Sequence, residues 1–316
     1  MIGDPVRHSL SPVLHNAAFS ALGLDWVYLA FAVPPDEVAA ALGGVRSLGI
    51  DGLSVTMPHK AAVAALVDRL SPAAEQLGAV NTVVRRGGRL DGETTDGEGL
   101  LAALRFDEGW DAAGRRCLLL GTGGAARAVA LALGRAGASR LLVAGRRLEM
   151  AAATALLAGA AGEIGTVEQA DNVDIIINAT PVGMAGVAGL AETSGQPVGD
   201  LDAARRRFHS ADPAVSTQGG DPGGSHRPGE VEAPHPPALP LDLDPGRLGP
   251  DQLVVDLVYA PAVTPLLEAA RARGATAVNG LGMLIHQAAL QFRLWTGEEP
   301  PLEVMSAAAL SALTRG

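Results

Sequence analysis

Arg115-Arg116-Cys117-Leu118-Leu119-Leu120-Gly121-Thr122-Gly123-Gly124-Ala125-Ala126 is a short apolar run, charged at its start, that stops on a cluster of glycines. Such a run reads as a buried strand. A helical pattern follows to Ala136, Arg140 to Ala144 reads as a strand, a helix starts near Leu148, and Val173 to Asn178 is a further strand. Strand, glycine turn, helix, strand is the βαβ unit of a parallel dinucleotide-binding sheet. In that unit the first glycine permits the tight turn and the next lets the backbone approach a pyrophosphate. Ala126 stands where a small residue packs helix on strand, and the amides of the helix N-terminus face the phosphates. Glycines also end strands for structural reasons alone; the placement between Leu120 and an amphipathic helix favours the nucleotide site.

The end of the following strand carries Gly145-Arg146-Arg147. A site for NAD usually has an acid there for the ribose hydroxyls. Two guanidiniums and no carboxylate favour a 2′-phosphate, hence NADP. The alternative is a pair of solvated arginines at a helix start.

Upstream, Ser11-Pro12 reads as an N-cap and first-turn pair opening a helix to about Leu22. Trp26 to Val33 reads as a strand, Pro35 to Leu48 as a helix and Gly52 to Thr56 as a short strand. Pro58 opens another helix, and Ala79 to Val84 is a strand, which together make a small α/β unit. Between about residues 186 and 240 periodicity is lost; from Ala211 to Pro240, 12 of 30 residues are Gly or Pro. This reads as a disordered insertion, with a short helix around Ala203 to Phe208. Order resumes with a strand at Gln252 to Leu257 and helices at Thr264 to Arg273, Met283 to Trp295 and Leu302 to Leu313.

The 316 residues suffice for two modest domains, and 48% hydrophobic residues with few aromatics suit helices packed on a parallel sheet. A net charge of −10 argues against nucleic acid or an anionic membrane as partner. No apolar stretch approaches a membrane span, and Asp4, Pro5 and Arg7 stand where a signal peptide needs an apolar block, so the chain reads as cytoplasmic. The single cysteine, Cys117, excludes an internal disulfide and sits in a strand pattern, so it is expected in the core. The histidines show no ligand spacing, and no metal is expected.

Lys60 is the only lysine, against 23 arginines. Arginine serves wherever a solvated charge suffices, but its guanidinium does not give up and regain a proton at any ordinary pH. A lone lysine inside Ser54-Val55-Thr56-Met57-Pro58-His59-Lys60 therefore reads as chemical. Asp96, in Thr94-Thr95-Asp96-Gly97, is either a helix-capping carboxylate or the partner of Lys60 in acid–base work. Ser9 and Ser11 offer two hydroxyls at a helix N-terminus, which suits a carboxylate ligand, or Ser11 is simply an N-cap. Asn81 and Gln287 interrupt apolar segments with amides that need partners in protein or ligand.

Read in order, these motifs resemble the shikimate dehydrogenase family, NADP-dependent oxidoreductases of the shikimate pathway to aromatic amino acids. The resemblance rests on Gly3-Asp4-Pro5 through Ser11-Pro12 and His15-Asn16, Val55 to Lys60, Gly78 to Thr82, Thr95-Asp96-Gly97 and the glycine turn. It continues in Asn178-Ala179-Thr180, Gly183-Met184, Asp256 to Tyr259 and Asn279 to Met283. It implies an α/β chain of two domains. Residues 1–98 with 281–316 would form the substrate domain and 99–280 a Rossmann-type NADP domain, with the active site in the cleft between them. It further implies that Ser9 and Ser11 hold the substrate carboxylate, that Thr56, Asn81, Asp96 and Gln287 hold ring hydroxyls with Tyr259 nearby, and that Lys60, paired with Asp96, exchanges the proton at the C3 oxygen. Gly121, Thr122, Gly123, Gly124 and Ala125 would bind the pyrophosphate, Arg146 and Arg147 the 2′-phosphate, while Gly280 and Met283 border the nicotinamide. The implied ligands are shikimate or 3-dehydroshikimate, bound by a monomer or homodimer. Rivals are a quinate/shikimate enzyme using NAD and a nucleotide-binding relative without turnover. Departures from the family pattern are Ser54, Thr94 and Gly145, each where asparagine is usual, and a first strand of which only its end, Met1-Ile2-Gly3, is present.

Overall fold

The computed structural model describes residues 1–7, 9–184 and 239–315. Most of the 186–240 insertion, with the helix expected at 203–208, and His8 of the serine motif lie outside the described residues. Of the last residues expected inside the insertion, Leu239 instead packs on the core with Leu243 and Leu248, and Pro240 is buried.

Six strands form one wholly parallel sheet: β7 (Arg116–Leu120), β8 (Arg140–Ala144), β9 (Gly162–Ile164), β10 (Ile175–Asn178), β11 (Leu253–Asp256) and β12 (Thr276–Asn279). Their spatial order is β9-β8-β7-β10-β11-β12, the doubly wound order whose direction reverses between β7 and β10. In the inner strands β7, β8, β10 and β11 side chains alternate between two buried faces, which is why their central residues are apolar. Cys117, Leu119, Leu141, Val143, Ile175 and Ile177 enter one core, and Leu118, Leu120, Leu142, Ile176 and Val254 the other. Cys117 is fully buried, and burial pushes its thiol up to about 12. Helices α5 (Asp96–Asp107), α6 (Gly124–Arg135) and α7 (Leu148–Ala155) supply the first core; α8 (Pro265–Ala272) covers the second.

The amino-terminal strands are β1 (Ile2–Gly3), β2 (Phe31–Ala32), β3 (Gly52–Ser54), β4 (Arg69–Leu70), β5 (Thr82–Arg86) and β6 (Arg89–Glu93). They form a mixed sheet β3-β5-β6-β4, joined to the pair β1-β2 by a bridge from Ile2 to Val55. The helices here are α1 (Ser11–Ala21), α2 (Val38–Ser47), α3 (Lys60–Leu66) and α4 (Pro72–Leu77). The last two helices, α9 (Leu281–Thr296) and α10 (Leu302–Arg315), return to this half. Phe292 and Met305 pack there with Leu14 and Phe19, and Trp295 Nε1 donates to the Val83 carbonyl at 3.0 Å.

Three local expectations change. The strand expected at Trp26 to Val33 shrinks to Phe31–Ala32, because the Asn16 side chain takes both backbone groups of Tyr28, accepting from its N–H at 2.8 Å and donating to its carbonyl at 2.9 Å. Ser11 is the first residue of α1 and not its N-cap; its N–H donates to Ser9 Oγ at 3.2 Å. Pro58 sits in a turn, His59 N–H donating to the Thr56 carbonyl, so that α3 opens on Lys60 itself.

Helix α5 touches both halves through two glycines in its first turn. A Cβ on Gly97 would lie 2.4 Å from the Ala128 carbonyl of α6, and one on Gly99 would lie 2.6 Å from Gln287 Cβ of α9. No side chain fits at either crossing. Gly99→Ala is expected to lower stability by about 1–3 kcal/mol through overpacking. Gly43→Ala, in the middle of α2 with nothing within 4 Å, is expected to raise it by about 0.5–1 kcal/mol. Denaturant unfolding of the two variants measures both.

Candidate active site

Lys60 and Asp96 are each the first residue of a helix, 36 positions apart in the chain, and Lys60 Nζ donates to Asp96 Oδ2 at 2.5 Å. The other carboxylate oxygen, Oδ1, accepts from Asn81 Nδ2 at 2.7 Å. Asn81 precedes β5 and is fixed in turn: its Oδ1 accepts from Thr95 N–H at 2.9 Å and from Thr82 Oγ1 at 2.7 Å. Neither the ammonium nor the carboxylate is fully enclosed, with 21% of the Lys60 side chain and 13% of the Asp96 side chain accessible. A charge-paired amine aimed by a doubly held carboxylate, still open to a ligand, is equipped to exchange a proton with an oxygen.

Backbone contacts hold the loop before α3. Thr56 N–H donates to the Ile2 carbonyl and Asp4 N–H to the Met57 carbonyl, both at 3.0 Å. A Cβ on Gly3 would stand 2.2 Å from Thr56 Cγ2, so the half-buried Thr56 is seated directly on Gly3. His59, buried, hydrogen-bonds the Val33 carbonyl through Nε2 at 2.7 Å and anchors the turn from below. Ser9 and Ser11 are hydrogen-bonded to each other at 3.2 Å, Ser11 buried and Ser9 half-buried. Gln287 is buried on α9 and donates to the Leu284 carbonyl of its own helix at 2.9 Å. His15, one turn beyond Ser11, is pushed down to about 3 by burial and stacks on Tyr28 with ring centroids 4.4 Å apart.

On the dinucleotide side, Gly121 has φ +113°, and a Cβ there would meet the Ala179 carbonyl at 3.0 Å, which closes β7 against the loop after β10. Gly123 and Gly124 differ, since a Cβ on either would meet nothing within 4 Å. Gly123 caps α6 without a side-chain bond, so the first amides of that helix are left for a ligand. Thr122 and Ala125 flank the turn half-buried, and the Thr122 methyl fills the space a side chain at Gly145 would take, 2.6 Å from its Cβ position. Arg146 and Arg147 are exposed at the end of β8. Bare glycines beneath an open helix N-terminus, with two cations at the next strand end, fit a dinucleotide carrying a 2′-phosphate.

Gly280 has a packing role of its own. It is buried, and a Cβ there would lie 2.1 Å from the Leu257 carbonyl, so it lets α9 start against the end of β11. Met283, on the first turn of α9, is half-buried against the Rossmann core. Tyr259 is half-buried, and burial raises its phenol above the ordinary value. Beside it the fully buried Asp256 accepts from Thr264 Oγ1, Asn178 Nδ2 and Val258 N–H; burial raises its carboxyl against these three donors.

The two sides meet in a cavity of about 240 Å³ lined by Met57, Pro58, Lys60, Ala61, Leu77, Gly78, Ala79, Gly124 and Arg127. Arg127, not singled out in the sequence, donates through Nη2 to the Leu77 carbonyl at 2.9 Å and ties α6 to the end of α4. Its signal in the sequence is a cation in the first turn of the helix after the glycine turn, which holds only one other charge, Arg135. Among the described residues no three His, Cys, Asp or Glu side chains are grouped to hold a metal, and no helix is long and apolar enough to cross a membrane.

Comparison with known proteins decides the family. Residues 1–83 match the shikimate dehydrogenase substrate binding domain and residues 280–310 the shikimate 5′-dehydrogenase C-terminal domain. A shikimate dehydrogenase (NADP(+)) of Methanopyrus kandleri is 43% identical over 99% of this chain and 94% of its own length. The chain belongs to the shikimate dehydrogenase family. Among solved members, a Thermus thermophilus enzyme in complex with NADP(H) and shikimate superposes with a TM-score of 0.77 at 34% identity, covering 99% of this chain and 98% of that one. A Corynebacterium glutamicum quinate dehydrogenase in complex with NAD gives 0.75 at 29% identity, over 98% and 97%. The fold class and family expected from the motifs are thereby borne out.

The glycines of this family member divide by what a Cβ would meet. Gly280→Ala drives a methyl into a backbone carbonyl and is expected to cost roughly 3 kcal/mol or more in thermal unfolding. Gly123→Ala and Gly124→Ala point into open space and are expected to leave Tm in place while dinucleotide affinity, read by calorimetric titration, falls.

Proposed function

We propose that this chain catalyses the reversible, NADPH-dependent reduction of 3-dehydroshikimate to shikimate, in the supply of chorismate for aromatic amino acids. One observation carries the reading: Lys60, whose amine is paired with Asp96, and Gly124, the first residue of α6, line the same cavity. NADP, when bound, supplies hydride transfer at C3 of the substrate. Lys60 gives its proton to the C3 oxygen in the reductive direction and receives it in the oxidative one. Asp96, held on its other oxygen by Asn81, keeps the ammonium aimed and balances its charge. Ser9 and Ser11 take the substrate carboxylate at the start of α1, where amides and the positive end of the helix dipole add to their hydroxyls. Thr56, Asn81 and Gln287 take ring hydroxyls beside Asp96, with Tyr259 nearby; Gly280 and Met283 border the nicotinamide. Gly121 to Ala125 hold the pyrophosphate, and Arg146 with Arg147 the 2′-phosphate, for which paired guanidiniums are the suited donors. The partners are small molecules, the compartment the cytoplasm, and the working unit a monomer or homodimer.

Purified protein oxidises shikimate with NADP, followed by NADPH absorbance, on this account; quinate and NAD serve as controls. Lys60→Arg keeps the charge but not the exchangeable proton and is expected to lose about 10²–10⁴-fold in kcat, with shikimate still bound. Full turnover by that variant would overturn the role given to Lys60. Arg146→Ala with Arg147→Ala is expected to raise KM for NADP at least about tenfold while leaving that for NAD within about twofold. Equal loss with both cofactors contradicts the 2′-phosphate assignment.

A further inference from the structure

A one-way chain of hydrogen bonds crosses the core of the substrate-binding half and ends on the Asp96 carboxylate. Tyr28 Oη donates to Ser54 Oγ at 2.5 Å, and Ser54 Oγ donates to Gln291 Oε1 at 2.8 Å. Gln291 Nε2 donates to Thr82 Oγ1 at 2.9 Å, Thr82 Oγ1 donates to Asn81 Oδ1 at 2.7 Å, and Asn81 Nδ2 donates to Asp96 Oδ1 at 2.7 Å. Four secondary-structure elements contribute to the inner links: β3 gives Ser54, β5 gives Thr82, α9 gives Gln291 and α5 gives Asp96. Ser54, Thr82 and Gln291 are all buried, so none can exchange its partner for water.

Direction in such a chain has a physical origin. A hydroxyl has a single hydrogen to give, and a primary amide has a donor end and an acceptor end. The Tyr28 hydrogen goes to Ser54, so the Ser54 hydrogen goes on to Gln291 and fixes which end of that amide faces it. The NH2 of Gln291 then falls on Thr82 Oγ1, and the one hydrogen of Thr82 is left for Asn81 Oδ1. With its carbonyl claimed by Thr82 and by Thr95 N–H, Asn81 turns its NH2 to Asp96. A reversed Asn81 would set a carbonyl oxygen against a carboxylate oxygen and an amine against the Thr95 N–H. Each link also polarises the next in a low-dielectric interior.

We infer that Thr82 is a positioning residue for the proton-transfer pair, the last link through which the Tyr28–Ser54–Gln291 chain sets the amide of Asn81 and thereby the carboxylate of Asp96. Packing alone does not require the hydroxyl, since a β-branched valine has the same shape and suits a strand at least as well. Gln291 lies one helical turn beyond Gln287 on the same face of α9, so its bonds to Thr82 also fix the rotation of that helix. Ser54 is short enough to leave room for the Gln291 amide, which gives a structural sense to the loss of the asparagine usual at that position.

The inference rests on the reading of Lys60 and Asp96 as the proton-exchanging pair, and the experiment separates the two. Thr82→Val and Thr82→Ser are compared with the parent in steady-state oxidation of shikimate and in thermal unfolding, each also in an Asn81→Ala background. Thr82→Val is expected to lower kcat about fivefold or more, the worth of one hydrogen bond near a charged group, with KM for NADP unchanged. Thr82→Ser, which keeps the hydroxyl, restores kcat. In the Asn81→Ala background Thr82→Val is expected to change kcat less than about twofold, because the link it serves is already gone. A Thr82→Val enzyme that loses only Tm, or loses kcat equally in both backgrounds, overturns the inference. Lys60→Met measured alongside tests the pair itself; full turnover there refutes the proton-transfer reading, while the Thr82–Asn81 cycle still decides the chain. Should Thr82→Val fail to fold, Gln291→Met is carried through the same cycle with the same expected result.

Discussion

The grip on the Asp96 carboxylate organises this molecule. One oxygen meets the Lys60 ammonium and the other the Asn81 amide, and each of those three residues stands at the end of a different element. For the contact to exist, α3, the start of β5 and α5 must converge to within hydrogen-bond reach. Gly97 and Gly99 make that possible by letting α5 settle against backbone or Cβ atoms of α6 and α9 where no side chain would fit. The same two crossings join the Rossmann half to the half that carries the serines, so the geometry of the Lys60–Asp96 pair and the joining of the two halves share one cause.

Glycine is used here in distinct ways. Gly97, Gly99, Gly134 and Gly280 allow close approach of packed elements, with the nearest atom at 2.1 to 2.6 Å from the Cβ each lacks. Gly121 combines a positive φ with close approach to the Ala179 carbonyl. Gly123 and Gly124 border open space, which leaves room beside the start of α6. The glycine turn therefore joins close packing at Gly121 to open space at Gly123 and Gly124, a division that spacing alone does not reveal.

Much of the fold was legible because its strands are buried on both faces. Apolar runs such as Leu118-Leu119-Leu120 and Ile175-Ile176-Ile177 have no other stable placement, and the strand at Arg140–Ala144 falls where the pattern puts it. The amino-terminal half was harder, since its strands are short and its bonds go to side chains. Asn16 claims the backbone of Tyr28, which removes it from any ladder despite strong β propensity around it. The β5–β6 hairpin was missed although Gly87-Gly88, both at positive φ, is a two-residue turn of the favoured hairpin kind. At the site, residue types foretold chemistry but not contact. Lys60 stood out by being alone, whereas its meeting with Asp96, and that of Asp96 with Asn81, depend on tertiary packing between separate elements. Thr82 and Gln291 carried no signal of their own, because a buried threonine in a strand or a polar residue in a helix is ordinary until its partners are seen.

The account turns on an amine at position 60 exchanging a proton with the substrate oxygen. Chemical rescue measures this most directly: Lys60→Ala, saturated with shikimate and NADP, is titrated with small primary amines. The account predicts turnover that is nearly absent without amine and rises in proportion to amine concentration, in the order of amine basicity at fixed size. A Lys60→Ala enzyme that binds both ligands yet gains nothing from any amine, or that turns over fully without one, contradicts it.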